Sequence, residues 1–278
     1  MSIERILATS SRLDTVDLDW EAGRRAGLTS GEQLVLTYFA DIESQTIHYL
    51  RDLLGSGLAR DPAAVGFLSA WNYEEYFHGE ALARLLRECG HPLAENRIDD
   101  VRRRAGLLEI AQGVLTATVS RFFPEAFPAL YLAWGASQEL TTLRGYEALE
   151  RSTKNPVLAE LCRRIARQER RHFAWYFNSA KERLAISPAA RRLSRMAFST
   201  LWAPVGVAEK GDGAFLEVVG ALFGEGRATA VAKEVEERLA TLPGLEGAHF
   251  FSRWLLRASR DRSGAPPLEH TGGALLPS

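Results

Sequence analysis

Cysteine is scarce in this sequence. Cys89 and Cys162 are the only two in 278 residues, and both fall in stretches with helical patterning. Two lone thiols cannot make a disulfide framework; they read as buried groups in a reduced, cytoplasmic setting. An excess of either charge is also missing, since the formal net charge is −1. That excludes bulk electrostatic attraction to nucleic acid or to a membrane surface. No stretch reaches the ~18 consecutive apolar residues of a membrane span. The first ten residues lack the long apolar core of a signal peptide, so no secretory leader is expected. Strand-like alternation is absent as well, and the chain reads as all-α.

What is present is an ordinary globular composition, 46% apolar and 25% charged. The length suits one large domain, or a domain with an extension. The most informative stretch is residues 71–82, W-N-Y-E-E-Y-F-H-G-E-A-L. Glu75 and His78 lie three residues apart there in a proline-free run, so both side chains point to one helix face. A carboxylate and an imidazole side by side can hold one divalent metal. Residues 167–176 repeat the spacing with Glu169 and His172. The spacing alone is weak: 25 Glu and six His give about half a match by chance, and the chain has four. Glu88/His91 and Glu246/His249 read as decoys. Gly90 and Pro92 mark a helix end at the first, and Gly244 and Gly247 bracket the second.

A true site needs partner carboxylates on neighbouring helices. A helical pattern over residues 31–54 contains Glu43, and a turn centred near Ala59 follows it. Glu43 lies 16 residues before that centre and Glu75 lies 16 after, so an antiparallel hairpin sets them at one height. Glu139 and Glu169 stand 15 residues either side of Lys154 in the turn at 152–156. The two halves are offset by 96 residues at the lone glutamates and by 94 at the pairs. Two helix hairpins, each giving Glu plus Glu-x-x-His, make the ligand set of ferritin-like dimetal carboxylate proteins. The expected fold is all-α: a ferritin-like four-helix bundle with additional C-terminal helices. The candidate metal ligands are Glu43, Glu75, His78, Glu139, Glu169 and His172. Four carboxylates and two divalent cations sum to zero, which removes the objection to burying four acids in an apolar bundle. Mixed carboxylate and imidazole donors suit iron or manganese.

The rest of the chain is organised around these hairpins. Residues 1–28 read as an N-terminal strap, 29–187 as the bundle with a linking helix, 188–262 as a helical extension and 263–278 as a flexible tail. Thr29 or Ser30 can cap the first long helix, whose inner face is Leu36, Phe39, Glu43, Thr46 or Ile47, and Leu50. Asp61 and Pro62 open the second, which turns Leu68, Trp71, Glu75, His78, Leu82, Leu85 and Leu86 inward. A polar link at 92–100 and a helix over 101–122 follow. The third bundle helix, about 126–151, faces inward through Leu132, Gly135, Glu139, Thr142 and Tyr146. The fourth, about 156–184, uses Leu158, Cys162, Ile165, Glu169, His172 and Tyr176. A helix after Pro188, a loop over 203–213 and further helices to about residue 260 complete the reading. His48 is expected on another face than Glu43, and Trp71 in the core rather than in an electron relay. Arg163, Arg164, Arg167, Arg170 and Arg171 form a basic stripe, either a solvated face or a dock for an acidic partner. Mid-helix Gly135 admits two readings, close helix packing or space for a substrate chain.

At residues 74–80, E-E-Y-F-H-G-E, and 168–172, Q-E-R-R-H, the sequence resembles the soluble acyl-(acyl carrier protein) desaturases. That family carries E-E-x-x-H-G-D and D-E-K-R-H in these places. Residues 138–142, Q-E-L-T-T, also resemble its Q-E-x-x-T. The resemblance covers about residues 30–185. It implies that the six candidate ligands hold two iron ions, with manganese as the alternative at one or both positions. It further implies oxygen-dependent attack on an unactivated C–H bond of an apolar substrate, with Thr142 as the proton-delivering catalytic residue. An electron donor such as ferredoxin or a flavoprotein would follow, and acyl carrier protein as substrate carrier and a homodimer are compatible with it. The family's aspartate before the second Glu-x-x-His is Gln168 here, so a hydrogen bond to a ligand histidine changes character. Other relatives fit less well. A radical-bearing ribonucleotide reductase subunit would place tyrosine at Leu82. An oxidase with a valine–tyrosine crosslink would want valine at Thr46 and tyrosine at Trp134. An arylamine N-oxygenase would add histidine at Ile165, and a storage ferritin subunit is much shorter. The competing class is a non-catalytic metal-binding or oxygen-scavenging protein. A buried apolar channel ending at the metals would favour the enzyme, and a packed core with no channel would favour the other.

Overall fold

The helices begin where the sequence supplies an acceptor for their free amides. The computed structural model describes residues 3–47, 50, 57–95, 97 and 113–263. After α1 (Ile3–Thr9), Asp19 caps α2 (Trp20–Ala26) by accepting from the Ala22 amide. Thr29 caps α3 (Ser30–Glu43), and Glu32 closes the reciprocal bond to the Thr29 amide. A short 3-10 turn (Gly57–Arg60) precedes α4 (Pro62–Glu88), where Asp61 accepts from the amides of Ala63 and Ala64. Residues 113–122 are helical, and the chain then breaks before α5 (Phe127–Ser152). Asn155 caps α6 (Pro156–Ile186) and Ser187 caps α7 (Pro188–Thr200). The last two helices are α8 (Val207–Leu239), kinked at Gly211 and Gly224, and α9 (Phe250–Ser263). No strand occurs among the described residues. None of their helices is long and apolar enough to cross a membrane.

The architecture is the expected all-α helical bundle. The three-residue turn after Ser152 folds α6 back along α5, and this is the most extensive helix pair. The second pair is α3 on α4, and α4 also meets α6. α8 packs across α3 and α5, α9 lies on α8, and α7 lies on α5. One continuous apolar core runs from Ile6 to Ala258 through these elements. Every inner-face residue read for α4 and α6 is buried. Cys89 and Cys162 are free thiols.

Several boundaries differ from the sequence reading. The first long helix is interrupted: α3 ends at Glu43, Ser44 and Gln45 form a turn, and residues 46, 47 and 50 are helical again. Ser44 Oγ bonds back to the Ala40 carbonyl and Thr46 Oγ1 to that of Glu43, local bonds that compete with the helix ladder. Thr46 is therefore the buried alternative, while Ile47 is 49% exposed. Residues 48–49 and 51–56, with His48 and most of the first turn, lie outside the described residues, as do 98–112 of the link and helix and the tail at 264–278. The loop expected at 203–213 is only 203–206, because α8 starts at Val207 with its break held to Gly211. The strap at 1–28 carries two short helices, α1 and α2, that its composition did not announce.

Gly135 is resolved in favour of packing. A Cβ there would stand 2.6 Å from the ring of Tyr176. That ring is itself fixed edge-on by Phe67, Trp71 and Trp175. Alanine is the better helix former by about 0.8–1 kcal/mol, but overpacking a fixed core costs about 1–3 kcal/mol. Gly135→Ala is accordingly expected to lower stability in urea denaturation. A stabilised variant would show that the Tyr176 ring has room to move.

Candidate metal centre

Helical spacing brings each Glu-x-x-His pair onto one face, and the bundle turns those faces together. Glu75 and His78 come from α4, Glu169 and His172 from α6, Glu43 from the last turn of α3 and Glu139 from the middle of α5. Potential ligand atoms of Glu43, Glu75, His78 and Glu169 all lie within 4.8 Å of one another. Those of Glu75, Glu139, Glu169 and His172 form a second such group. Glu75 and Glu169 belong to both, so the two groups share a carboxylate edge. All six side chains are buried. Close approach of α3 to α4 depends on Gly79, whose Cβ would stand 3.4 Å from that of Glu43 and 3.1 Å from Ser44 Oγ.

Both imidazoles present the same edge to the carboxylates. His78 Nδ1 lies 3.1 Å from Glu75 and 3.2 Å from Glu169. His172 Nδ1 lies 3.0 Å from Glu75, 3.5 Å from Glu139 and 3.6 Å from Glu169. The Nε2 edges face outward to partners: Gln168 Oε1 at 2.7 Å from His78 and Glu74 Oε2 at 2.6 Å from His172. Outward N–H bonds of this kind fix the tautomer and leave Nδ1 free for a metal. Two further groups hold the outer carboxylates. Trp71 Nε1–H donates to Glu139 Oε1 at 3.0 Å, and the Tyr146 hydroxyl donates to Glu43 Oε1 at 2.6 Å.

The donor set fits metal ions on two counts. His172 Nδ1 and Glu169 Oε1 are buried without a satisfactory hydrogen bond, a condition that is rare in proteins unless another ligand completes it. The charges also need cations. Burial, reinforced by the charge of Glu75, pushes Glu43 well above the usual carboxylate range. Burial, then the charge of Glu169, does the same to Glu139. Burial also works against the charge on His78, but Glu75 and Glu169 outweigh it and raise that imidazole to about 10. His172 is raised for the same reason by the carboxylates around it. Without metal His78 therefore keeps its proton at neutral pH, and a divalent cation would take its place.

The decoy pairs stay away from this cluster. Gly90 takes a positive φ of 86° and ends α4, leaving His91 exposed. Exposed His249 lies 3.7 Å from Glu236. The basic stripe is largely neutralised: Arg163 pairs with Glu150 and Glu160, Arg164 with Asp17 and Glu160, Arg170 with Glu147 and Arg171 with Glu74. Its reading as a solvated face is the better one. Thr142 belongs to neither ligand group. It lines an apolar recess between α3, α5, α8 and α9, with Phe39, Gly145, Phe215, Leu222 and Phe251. Sequence reasoning took Trp71 and Tyr146 only as inward-facing residues and passed over Glu74. The doubled position just before each paired glutamate, Glu74 and Gln168, was the available signal.

An all-α bundle with a buried, doubled Glu/His cluster defines a protein compatible with a metal site. A fatty acid desaturase family model matches residues 47–200, more than half of the chain. The chain belongs to the fatty acid desaturase family. The matched region holds Glu75, His78, Glu139, Thr142, Glu169 and His172, while Glu43 lies just before it. No curated protein matches the chain.

Metal loading should displace the His78 proton. Calorimetric titration with Mn(II) at pH 7 in buffers of different ionisation enthalpy is expected to show net proton release, with affinity rising as pH rises towards 10. Uptake independent of pH would contradict this. Purified protein should hold close to two ions per chain, and Glu139→Ala should lose at least one. His91→Ala and His249→Ala should leave metal content unchanged by elemental analysis, and loss in either would show that the wrong pairs were chosen.

Proposed function

We propose that this protein is an oxygen-dependent, non-haem di-iron oxidase of the ferritin-like superfamily, acting on an apolar acyl chain. The observation that carries this is the shared carboxylate edge: Glu75 and Glu169 each take part in both buried ligand groups, in a chain of the fatty acid desaturase family. In this reading Glu43 and His78 complete one position, and Glu139 and His172 the other. Iron fits the mixed donors, and manganese at one or both positions is the alternative. Bound iron would supply the redox chemistry that activates dioxygen for attack on an unactivated C–H bond. For desaturation, two hydrogens leave adjacent methylenes, and two further electrons and two protons reduce dioxygen fully to water. The proposed electron donor is a ferredoxin or flavoprotein, and the proposed carrier is acyl carrier protein. The proposed setting is the cytoplasm, with a homodimer as the working unit. Residues 29–187 form the proposed catalytic bundle, with 1–28 as strap and 188–262 as extension.

The chain's own residues have separable tasks in this scheme. Trp71 and Tyr146 fix the outer carboxylates, Glu139 and Glu43, by donating hydrogen bonds. Glu74 and Gln168 hold the two imidazoles in orientation. The packed rings of Phe67, Trp175 and Tyr176 exclude water from the α4–α6 side. The recess is apolar, as a hydrocarbon site must be, but its cavity of about 30 Å³ is the space of roughly one water. An acyl chain would have to open it, and it does not by itself separate an enzyme from a metal store. Phe39 both lines it and packs edge-on against Tyr146, with centroids 4.8 Å apart. Tyr146 in turn bonds Glu43, which links the recess wall to the cluster. Thr142, on the recess wall three residues beyond Glu139, is the proposed proton donor, as general acid catalysis requires.

Single-turnover assays test the proposal. Chemically reduced, iron-loaded protein, given oxygen and a long-chain acyl carrier protein, is expected to yield one oxidised acyl product per centre. Oxygen consumption without any product from a panel of acyl chain lengths would favour the oxygen-scavenging reading. Thr142→Val should keep the metal and the fold but slow turnover by about 10²-fold, or uncouple oxygen use from product. Normal, coupled turnover in Thr142→Val would assign the hydroxyl a structural role.

A further inference from the structure

The N-terminal strap touches the outer side of both histidines' supports through one residue. The Ser11 amide donates to Glu74 Oε1 at 3.0 Å, and the Ser11 carbonyl accepts from Gln168 Nε2 at 2.9 Å. Glu74 in turn holds His172, and Gln168 holds His78. We infer that the Ser11 peptide groups are a clamp that sets the orientation of both imidazoles, which makes the strap a positioning element of the metal centre. The orientation claim rests on the dimetal reading; the docking of the strap does not.

The chemistry of the two supports matches the two ends of one residue. An N–H needs an acceptor, and Glu74 is a carboxylate that also takes Arg171 and His172, three donors in all. A neutral amide at position 74 has one acceptor oxygen for these three. A carbonyl needs a donor, and Gln168 is an amide. It accepts from His78 Nε2–H with its oxygen and donates to Ser11 with its nitrogen. An ionised carboxylate at position 168 has no N–H to give, and it would face the Ser11 carbonyl oxygen. Gln168 in place of the aspartate of the resembling motif is therefore complementary to the strap.

The strap is tied down on both sides of Ser11. Ile6 and Leu13 enter the core. The Arg12 guanidinium lies 4.7 Å from the centroid of the Phe77 ring. Arg164 binds the Asp14 carbonyl at 2.8 Å and the Asp17 carboxylate at 2.6 and 2.8 Å. The Ser11 residue itself is exposed, so its side chain can be changed without touching the core.

Three variants of the full chain test the clamp. Ser11→Ala keeps both peptide groups and serves as the control. Ser11→Pro deletes the N–H, and Gln168→Met deletes the donor to the carbonyl. In metal-free protein, hydrogen exchange of the helical amides of α1, residues 7–9, is expected to accelerate at least tenfold in Ser11→Pro and Gln168→Met as the strap loosens, and to match the native rate in Ser11→Ala. Co(II) affinity of Ser11→Pro is expected to fall about tenfold, the low end of the usual loss on disturbing a ligand's partner, with a changed d–d spectrum. Native-like exchange in both Ser11→Pro and Gln168→Met would overturn the clamp. Faster exchange with unchanged Co(II) affinity and spectrum would also overturn it, leaving the strap a mere cover. If the native chain binds no Co(II), the dimetal reading and the positioning role fail together. The exchange arm then decides docking alone.

Discussion

Four carboxylates at one level of an apolar bundle are the constraint on which the rest of this structure depends. Ionised and unpaired, they would cost far more than a domain's whole margin of stability. The polypeptide alone reaches a compromise by keeping protons. Burial raises Glu43 and Glu139, while the histidines stay charged against Glu75 and Glu169. The compromise leaves Glu169 Oε1 and His172 Nδ1 unsatisfied. Two divalent cations would neutralise the four acids and complete both atoms at once. The bundle's other polar side chains at this level have their geometry set by that need. Trp71 and Tyr146 each bond one outer acid, and Glu74 and Gln168 each bond one imidazole.

The centre is nearly two-fold in plan and unequal in its surroundings. The α4 and α6 pairs mirror each other, with Nδ1 inward and Nε2 outward in both. Their supports differ, a carboxylate paired with Arg171 behind His172 and a neutral amide behind His78. A carboxylate partner raises the basicity of a ligand imidazole more than an amide does, so the two metal positions are expected to be inequivalent. The family match also stops short of the whole site. It covers residues 47–200, whereas Glu43, the strap and the α8 and α9 walls of the recess lie outside it. In the proposed function, most of the walls of the substrate space lie outside the matched residues, while Thr142 and Gly145 lie within them.

Much of this was legible from spacing. Glu75/His78 and Glu169/His172 carried it, because a three-residue interval on a helix admits one geometry. The symmetric distances of Glu43 and Glu75 from their turn, and of Glu139 and Glu169 from theirs, brought the remaining acids to the right height. Cap residues Thr29 and Asp61 were equally readable, since their side chains bond amides two or three residues away, whereas the cap at Asn155 was not read. What escaped was whatever depends on contacts distant in sequence. The stop of α3 at Glu43 follows from hydroxyl bonds of Ser44 and Thr46 that helical periodicity does not report. Gly135 left packing and substrate space equally open until the Tyr176 ring decided for packing. Ser11 is unremarkable in sequence, and acts through backbone groups that every residue possesses.

Anomalous diffraction from crystals of the iron- or manganese-loaded protein tests the central claim most directly. Two peaks are expected about 3.5–4 Å apart, with Glu75 and Glu169 between them. Glu43 and His78 should lie at one peak, and Glu139 and His172 at the other. A single peak within the cluster, or peaks only at exposed groups such as Glu246 and His249, would contradict the account.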